Sequence, residues 1–181
     1  MQVNACSEKI PNESHLWLSA TRNEDVGNLE ESFRLYLLHS IEQLKKDSLI
    51  NAALSCACAA KCAQTMNLNQ ISGKLCSESG KIYEEYSENI LPKSIREALW
   101  SILAAYEYYI LAGDVKRANS LEEKFVNLKQ RLNPFYGEKE AVSLLREQKN
   151  NIPNFSFEEN KVNISKTVLN ALEEFLRFRN E

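Results

Sequence analysis

From Asp25 onward apolar residues recur at steps of three and four, and the pattern breaks only at short polar, glycine or proline intervals. Leu29, Phe33, Tyr36, Leu37, Ile41 and Leu44 share one face, which predicts a helix from Asp25 to about Lys46. Asp47 or Ser48 can cap a second helix, Leu49 to Met66, apolar nearly all round and interrupted only by Asn51, Ser55, Lys61 and Gln64. A helix of that kind belongs in the middle of the packing. A third, about Gln70 to Asn89, carries the stripe Ile71, Leu75, Ile82, Tyr83 and Tyr86 together with Gly73 and Gly80. Each glycine costs a helix interior about 1 kcal/mol relative to alanine, so a neighbouring group is expected to approach closely at both.

Pro92 disfavours helical geometry at Leu91 and ends that segment. The fourth helix, roughly Lys93 to Ala112, places Ile95, Leu99, Ile102, Tyr106 and Tyr109 on one face and Ala98, Ala105 and Ala112 beside it, which suits two flanking neighbours. Gly113 is a natural residue to follow a helix end and Asp114 a natural N-cap, so the fifth helix turns back at once as Val115, Ala118, Leu121, Phe125, Leu128 and Leu132. Asn133-Pro134 stops it. A charged sixth helix is expected over Glu138 to about Lys149 with Ala141, Leu144 and Leu145, then a polar loop to Val162. A seventh follows, capped at Asn163 or Ser165, with Val168, Leu172 and Phe175 buried and Leu169, Leu176 and Phe178 widening the stripe. Residues 1–24 have no sustained period and read as a partly ordered arm, in which His15 to Leu18 can dock as one apolar turn; residues 25–181 read as a single helical domain.

Composition narrows the class. Five glycines and four prolines in 181 residues, about 5% against about 12% in average proteins, disfavour turn-rich β architectures. The glycines are too scattered for a dinucleotide fingerprint, and neither Gly73-Lys74-Leu75 nor Gly80-Lys81-Ile82 supplies the hydroxyl of a phosphate loop. A net charge of -3 lacks the basic surplus that nucleic acid demands. No export-signal pattern or membrane-length apolar run is present, so the expectation is a soluble cytoplasmic chain without membrane insertion.

The stretch Ala104-Ala105-Tyr106-Glu107-Tyr108-Tyr109-Ile110-Leu111-Ala112-Gly113-Asp114-Val115-Lys116-Arg117-Ala118 resembles the junction between the two helices of a tetratricopeptide repeat. Tyr109, Gly113-Asp114 and Ala118 fall at matching offsets: an aromatic wedge, a tight turn and a small residue where the second helix approaches. Tyr106 and Phe125 replace residues that are small in the family, and Pro134 arrives late. A looser junction lies between Ala57 and Gly80. Over Ser48 to Pro134 the long helix pairs rich in Ala, Cys and Tyr are similar to the soluble NSF-attachment-protein branch of that superfamily. The resemblance implies an all-α, right-handed array of antiparallel helix hairpins, a tetratricopeptide-like α-solenoid, that binds a protein partner or its own copy without catalysis or cofactor. First helices of each pair then line the groove, through Asn51, Ser55 and Lys61 on one and Arg96, Ser101, Glu107 and Tyr108 on the other.

Candidate chemistry is sparse. Cys56, Cys58, Cys62 and Cys76 invite a metal- or thiol-binding alternative, with Cys58, Cys62 and Cys76 as its ligands. Yet Cys56 points about 200° away from Cys58 on an ideal helix, and cysteine among so many alanines serves as a small hydrophobe. Cys6 reads as an exposed thiol. The only histidines are His15 and His39; His39 is expected at the edge of the first helix, and neither adjoins a nucleophile motif. Consecutive pairs such as Glu84/Glu85, Glu122/Glu123 and Glu173/Glu174 suit a solvated face.

Overall fold

One kind of turn recurs four times along the chain, centred on a residue of positive φ: Gly27 (78°), Asp47 (57°), Asn67 (60°) and Gly113 (72°). The residue after each sends its N–H back to a carbonyl five residues earlier, from Asn28 to Asn23 (2.8 Å), Ser48 to Gln43 (2.9 Å), Leu68 to Ala63 (2.8 Å) and Asp114 to Tyr109 (2.8 Å). This closes the carbonyls of a helix end while leaving three residues between helices, so the next helix must run antiparallel. The computed structural model describes residues 15–133, 143, 145, 147, 149, 150 and 163–180. Among them are seven helices and no strand: α1 (His15–Asp25), α2 (Leu29–Lys45), α3 (Leu49–Thr65), α4 (Asn69–Ile90), α5 (Ile95–Leu111), α6 (Val115–Leu132) and α7 (Lys166–Asn180). Each from α1 to α6 packs against the next, and α7 returns to α2. The connection from α4 to α5 differs, passing through Pro92 to Ser94, whose hydroxyl caps α5 by accepting from the Glu97 N–H at 3.2 Å.

Buried serines set the spacing between the helices. Ser32 and Ser40 on α2 donate their hydroxyls to the carbonyls of Ala20 on α1 (2.9 Å) and Ala52 on α3 (2.8 Å). Ser79 and Ser87 on α4 repeat the arrangement toward Ala53 on α3 (2.9 Å) and Ala98 on α5 (3.1 Å). All four serines and all four alanines are buried, so each hydroxyl is satisfied by the backbone of a helix that only a small side chain lets come so near. Carboxylates tie successive helices in threes. Glu24 of α1 accepts from the Tyr36 hydroxyl of α2 (2.8 Å) and from Lys61 of α3 (2.9 Å). Glu84 of α4 accepts from the Tyr109 hydroxyl of α5 (3.0 Å) and from Lys124 of α6 (2.7 Å).

The apolar interior divides into a cluster around α1, α2, the second half of α3, the first half of α4 and α7, and another around the start of α3, the second half of α4, α5 and α6. Most predicted faces are buried as expected: Phe33, Tyr36, Leu37 and Ile41 on α2, Ala118, Leu121, Phe125 and Leu128 on α6, and Val168, Leu172 and Phe175 on α7. The N-terminus departs from expectation. Where a partly ordered arm was predicted, His15–Asp25 is a three-turn helix, α1, docked on α2 through Ala20, Leu16 and Trp17. Its signal was weak because eleven residues expose only one short apolar face, and the docking is supplied by Ser32 and Tyr36 of the next helix. His39 is likewise not at an edge. It is buried because Trp17 of α1 covers it, with ring centroids 5.6 Å apart. Residues 1–14, with Cys6, lie outside the described residues, as do the loop over 151–162 and most of the sixth predicted helix, of which the described positions 143, 145, 147 and 149 are helical and Leu145 is buried.

The close approach expected at Gly80 is found. A Cβ there would lie 2.8 Å from Cε1 and 2.9 Å from Cδ1 of Tyr109, a fully buried ring held by Glu84 and faced by the Arg117 guanidinium 5.7 Å from its centroid. Alanine favours a helix interior by about 1 kcal/mol over glycine, but overpacking against a ring that cannot swing away costs about 1–3 kcal/mol. Gly80→Ala is therefore expected to lower the unfolding free energy in urea, opposite in sign to its helix propensity; an increase would show that Tyr109 is free to move.

Candidate functional site

The opening of interest is a groove of about 340 Å³ whose walls are α3 and α5 and whose floor is α4. α3 contributes Leu54, Ala57, Cys58, Ala60, Lys61 and Gln64; α4 contributes Asn69, Ser72, Gly73 and Cys76; α5 contributes Tyr108 and Leu111. Steps of three and four along α3 make this one continuous helix face. Gly73 opens the groove onto a shallower depression shared with Gln70, Lys74 and Asp114 at the α5–α6 turn. Tyr108 is half-buried, and its ring stacks on Tyr83 of α4 at 5.7 Å and 5°. Tyr83 in turn meets the edge of Trp100 at 6.0 Å, so an aromatic strip runs two turns along α5 and ends in a tryptophan that is 54% exposed. Leu54, on the facing wall, is 40% exposed.

Of the residues predicted to line a groove, Lys61 and Tyr108 do so. Glu107 is half-buried beside the aromatic strip, where burial pushes its carboxyl above the ordinary 4.5. Arg96 and Asn51 are exposed but away from the groove, Asn51 donating to the Ser48 hydroxyl at 3.0 Å. Ser55 and Ser101 are turned the other way: both are fully buried, Ser101 donating to the Glu97 carbonyl at 2.9 Å and Ser55 to the Asn51 carbonyl at 2.7 Å. The groove face of α3 is the apolar one, Leu54 and Ala57, which a search for polar edges passes over. Leu54 stands two turns before Lys61 on the same helix face, and that alignment of a leucine with a lysine was the signal that could have marked it.

The thiols are dispersed. Cys58 and Cys76 line the groove, whereas Cys56 donates to the Leu75 carbonyl (3.3 Å) and Cys62 sits 3.6 Å from the Ser32 hydroxyl, within helix interfaces. Among the described residues no three His, Cys, Asp or Glu side chains come together in a metal-binding group. Burial pushes the thiols of Cys58 and Cys76 up to about 11 and that of Cys56 well above 9.0, so at neutral pH they stay protonated, the form that neither attacks nor ligates. In the native chain at pH 8 a small thiol reagent is expected to modify Cys58 slowly and Cys56 only on unfolding, as mass spectrometry of the modified peptides would show; rapid labelling of Cys56 would contradict its burial.

Among the described residues two histidines meet a serine: exposed His15 Nδ1 lies 3.3 Å from Ser19 Oγ, and buried His39 Nδ1 lies 2.6 Å from Ser55 Oγ. The Gln43 amide donates to His39 Nε2 at 3.0 Å, which fixes the Nδ1–H tautomer and makes Ser55 the acceptor of that proton. Ser55 Oγ, fully buried and already donating to a carbonyl, is a packing hydroxyl rather than a nucleophile. Burial lowers the His39 pKa from 6.5, with Glu42 raising it and Lys46 lowering it by smaller amounts. Comparison with known protein families, with curated proteins and with solved structures returns no match. No described helix is long and apolar enough to cross a membrane.

A depressed histidine pKa means that the unfolded chain binds the proton more readily, so the stability it contributes is complete above about 6.5 and is lost as pH falls below that value toward the folded-state pKa. Glu24, held below 4.5 by its hydrogen bond from Lys61, and Glu31, held below it by Arg34, lose their contributions only at lower pH. Urea midpoints are expected to fall between about pH 7 and pH 5, and His39→Gln to flatten that segment while leaving the decline below about pH 4.5. An unchanged profile in the variant would show that His39 is not the titrating group.

Proposed function

We propose that this chain is a non-catalytic adaptor of tetratricopeptide-like architecture that receives an apolar segment of a protein partner, or of its own copy, in the groove between α3 and α5. The observation that carries the reading is the apolar lining of that groove together with Leu54 and Trp100 standing exposed beside it. Apolar side chains left in water on facing walls, next to a rigid tyrosine, match the composition of protein-binding sites, where aromatics are enriched and charge is sparse. The one charged residue of the lining, Lys61 on the α3 wall, is engaged by Glu24, which leaves little charge in the groove to favour an ionic ligand. The tight turns at Asn67 and Gly113 and the wedge of Tyr109 against Gly80 support the repeat-like reading of α3 to α6. Protonated thiols in the same groove favour packing over metal binding.

The reading separates residues that recognise from residues that hold the fold. Leu54→Glu and Trp100→Glu replace exposed side chains, so each is expected to shift stability by no more than about 0.5 kcal/mol while a partner captured by the native protein is lost. Tyr108→Ala removes a stacked, half-buried ring and is expected to cost about 2 kcal/mol besides weakening binding. Capture that survives both glutamate substitutions in a chain of unchanged melting temperature would refute the groove as the binding site.

A further inference from the structure

One carboxylate on α5 lacks the counter-charge that its surroundings call for. The half-buried Glu24, Glu31, Glu42, Glu78, Glu84 and Asp114 are each paired with a lysine or an arginine. Glu107 is half-buried too, yet among the described residues no cation pairs with it, and burial alone raises its carboxyl above 4.5. It stands at the edge of the groove between α3 and α5: Leu111, which lines that groove, lies one turn later on the same helix face, and half-buried Leu103 one turn earlier. The adjacent Tyr108 lines the groove and stacks on Tyr83. Burial first, and the Glu107 charge in smaller part, raises the hydroxyls of both rings, which places the carboxylate beside the stack. Exposed Trp100, two turns before Glu107, continues the face. A carboxylate among rings and leucines does not help the fold, since its charged form is the one that burial disfavours. It does attract a cation, and aromatic faces beside it add to that attraction.

We propose that the protein segment received by the groove carries a lysine or arginine beside its apolar residues, and that this cation seats on Glu107 against the Tyr108 ring. The proposal rests on the reading of the groove as a protein-binding site and names the charge of the partner. An apolar lining binds without choosing among apolar segments. A carboxylate that loses its remaining water as the partner closes over it does choose, because a segment without a cation leaves that charge buried and unpaired, and an acidic segment adds repulsion. The net charge of -3 draws partners of the same sign.

The test lets the intact chain choose its own ligand. Random twelve-residue peptides displayed on phage are selected on the native protein, and the enriched ones are synthesised with a fluorophore and titrated by anisotropy. The expected peptides hold a Lys or Arg among apolar residues. Glu107→Gln is expected to weaken such a peptide at least tenfold without lowering Tm, whereas Glu123→Gln, which removes the same charge from an exposed position on α6, changes binding less than about twofold. Norleucine in place of the peptide's cation should weaken binding to the native chain at least tenfold and make it indifferent to Glu107→Gln, which attraction by net charge alone would not do. Enriched peptides without a cation, equal affinity for the native and Glu107→Gln chains, an equal loss with Glu123→Gln, or a Glu107→Gln chain that melts earlier overturns the proposal. Leu54→Glu separates it from the reading of the groove. Cation-free peptides that Leu54→Glu abolishes leave the groove standing and refute the seat at Glu107. Peptides that need Glu107 but tolerate Leu54→Glu support the seat and refute the groove, and a selection that enriches no peptide refutes both.

Discussion

Everything else in this fold depends on how near its helices come to one another, and that distance is set by hydroxyl groups bonded to neighbouring backbones. A serine hydroxyl reaches a carbonyl on an adjacent helix only when the residue carrying that carbonyl is small, and here it is alanine each time, at Ala20, Ala52, Ala53 and Ala98. Each carbonyl has a second lone pair free after its own helical bond, so the serine gains a partner without disturbing the helix that receives it. A net contribution of roughly 1 kcal/mol per bond is modest. The stronger effect is on specificity, because sliding one helix along another would leave a buried hydroxyl unsatisfied.

The groove is a product of the same spacing. α3 and α5 are both drawn against α4, through Ser79 and Ser87, and the side chains that do not face α4 are left looking at one another across it. Small residues at Ala57, Ala60 and Gly73 leave the space open, and the Tyr83–Tyr108 stack stiffens one wall. Lys61 reaches away to Glu24, which ties the rim of the groove to α1. The walls of this groove are helices already fixed by buried contacts, not loops.

The connections and the helix faces were the legible part of the sequence. Gly113-Asp114 gave away its turn through residue types that suit few other conformations, and Pro92 marked the break before α5. Ser55 and Ser101 misled, because a polar residue on an apolar helix reads as an edge when its hydroxyl is in fact satisfied inside the packing. His39 misled for a related reason: its cover, Trp17, belongs to a helix too short to announce itself. The paired serines eight residues apart, on α2 and again on α4, were visible as letters but carried no hydropathy signal, and only the facing alanines give them meaning.

The return of α7 to α2 has a consequence for how the molecule is made. Contacts among α1 to α6 join elements adjacent in sequence, the low contact order that lets helical hairpins form quickly and one at a time as a chain leaves the ribosome. α7 is the exception: it comes after α6 in sequence and yet packs on α2. The contact between α2 and α7 therefore carries the largest loop-closure cost among the described helices, and the docking of α7 is the step expected to follow the hairpins.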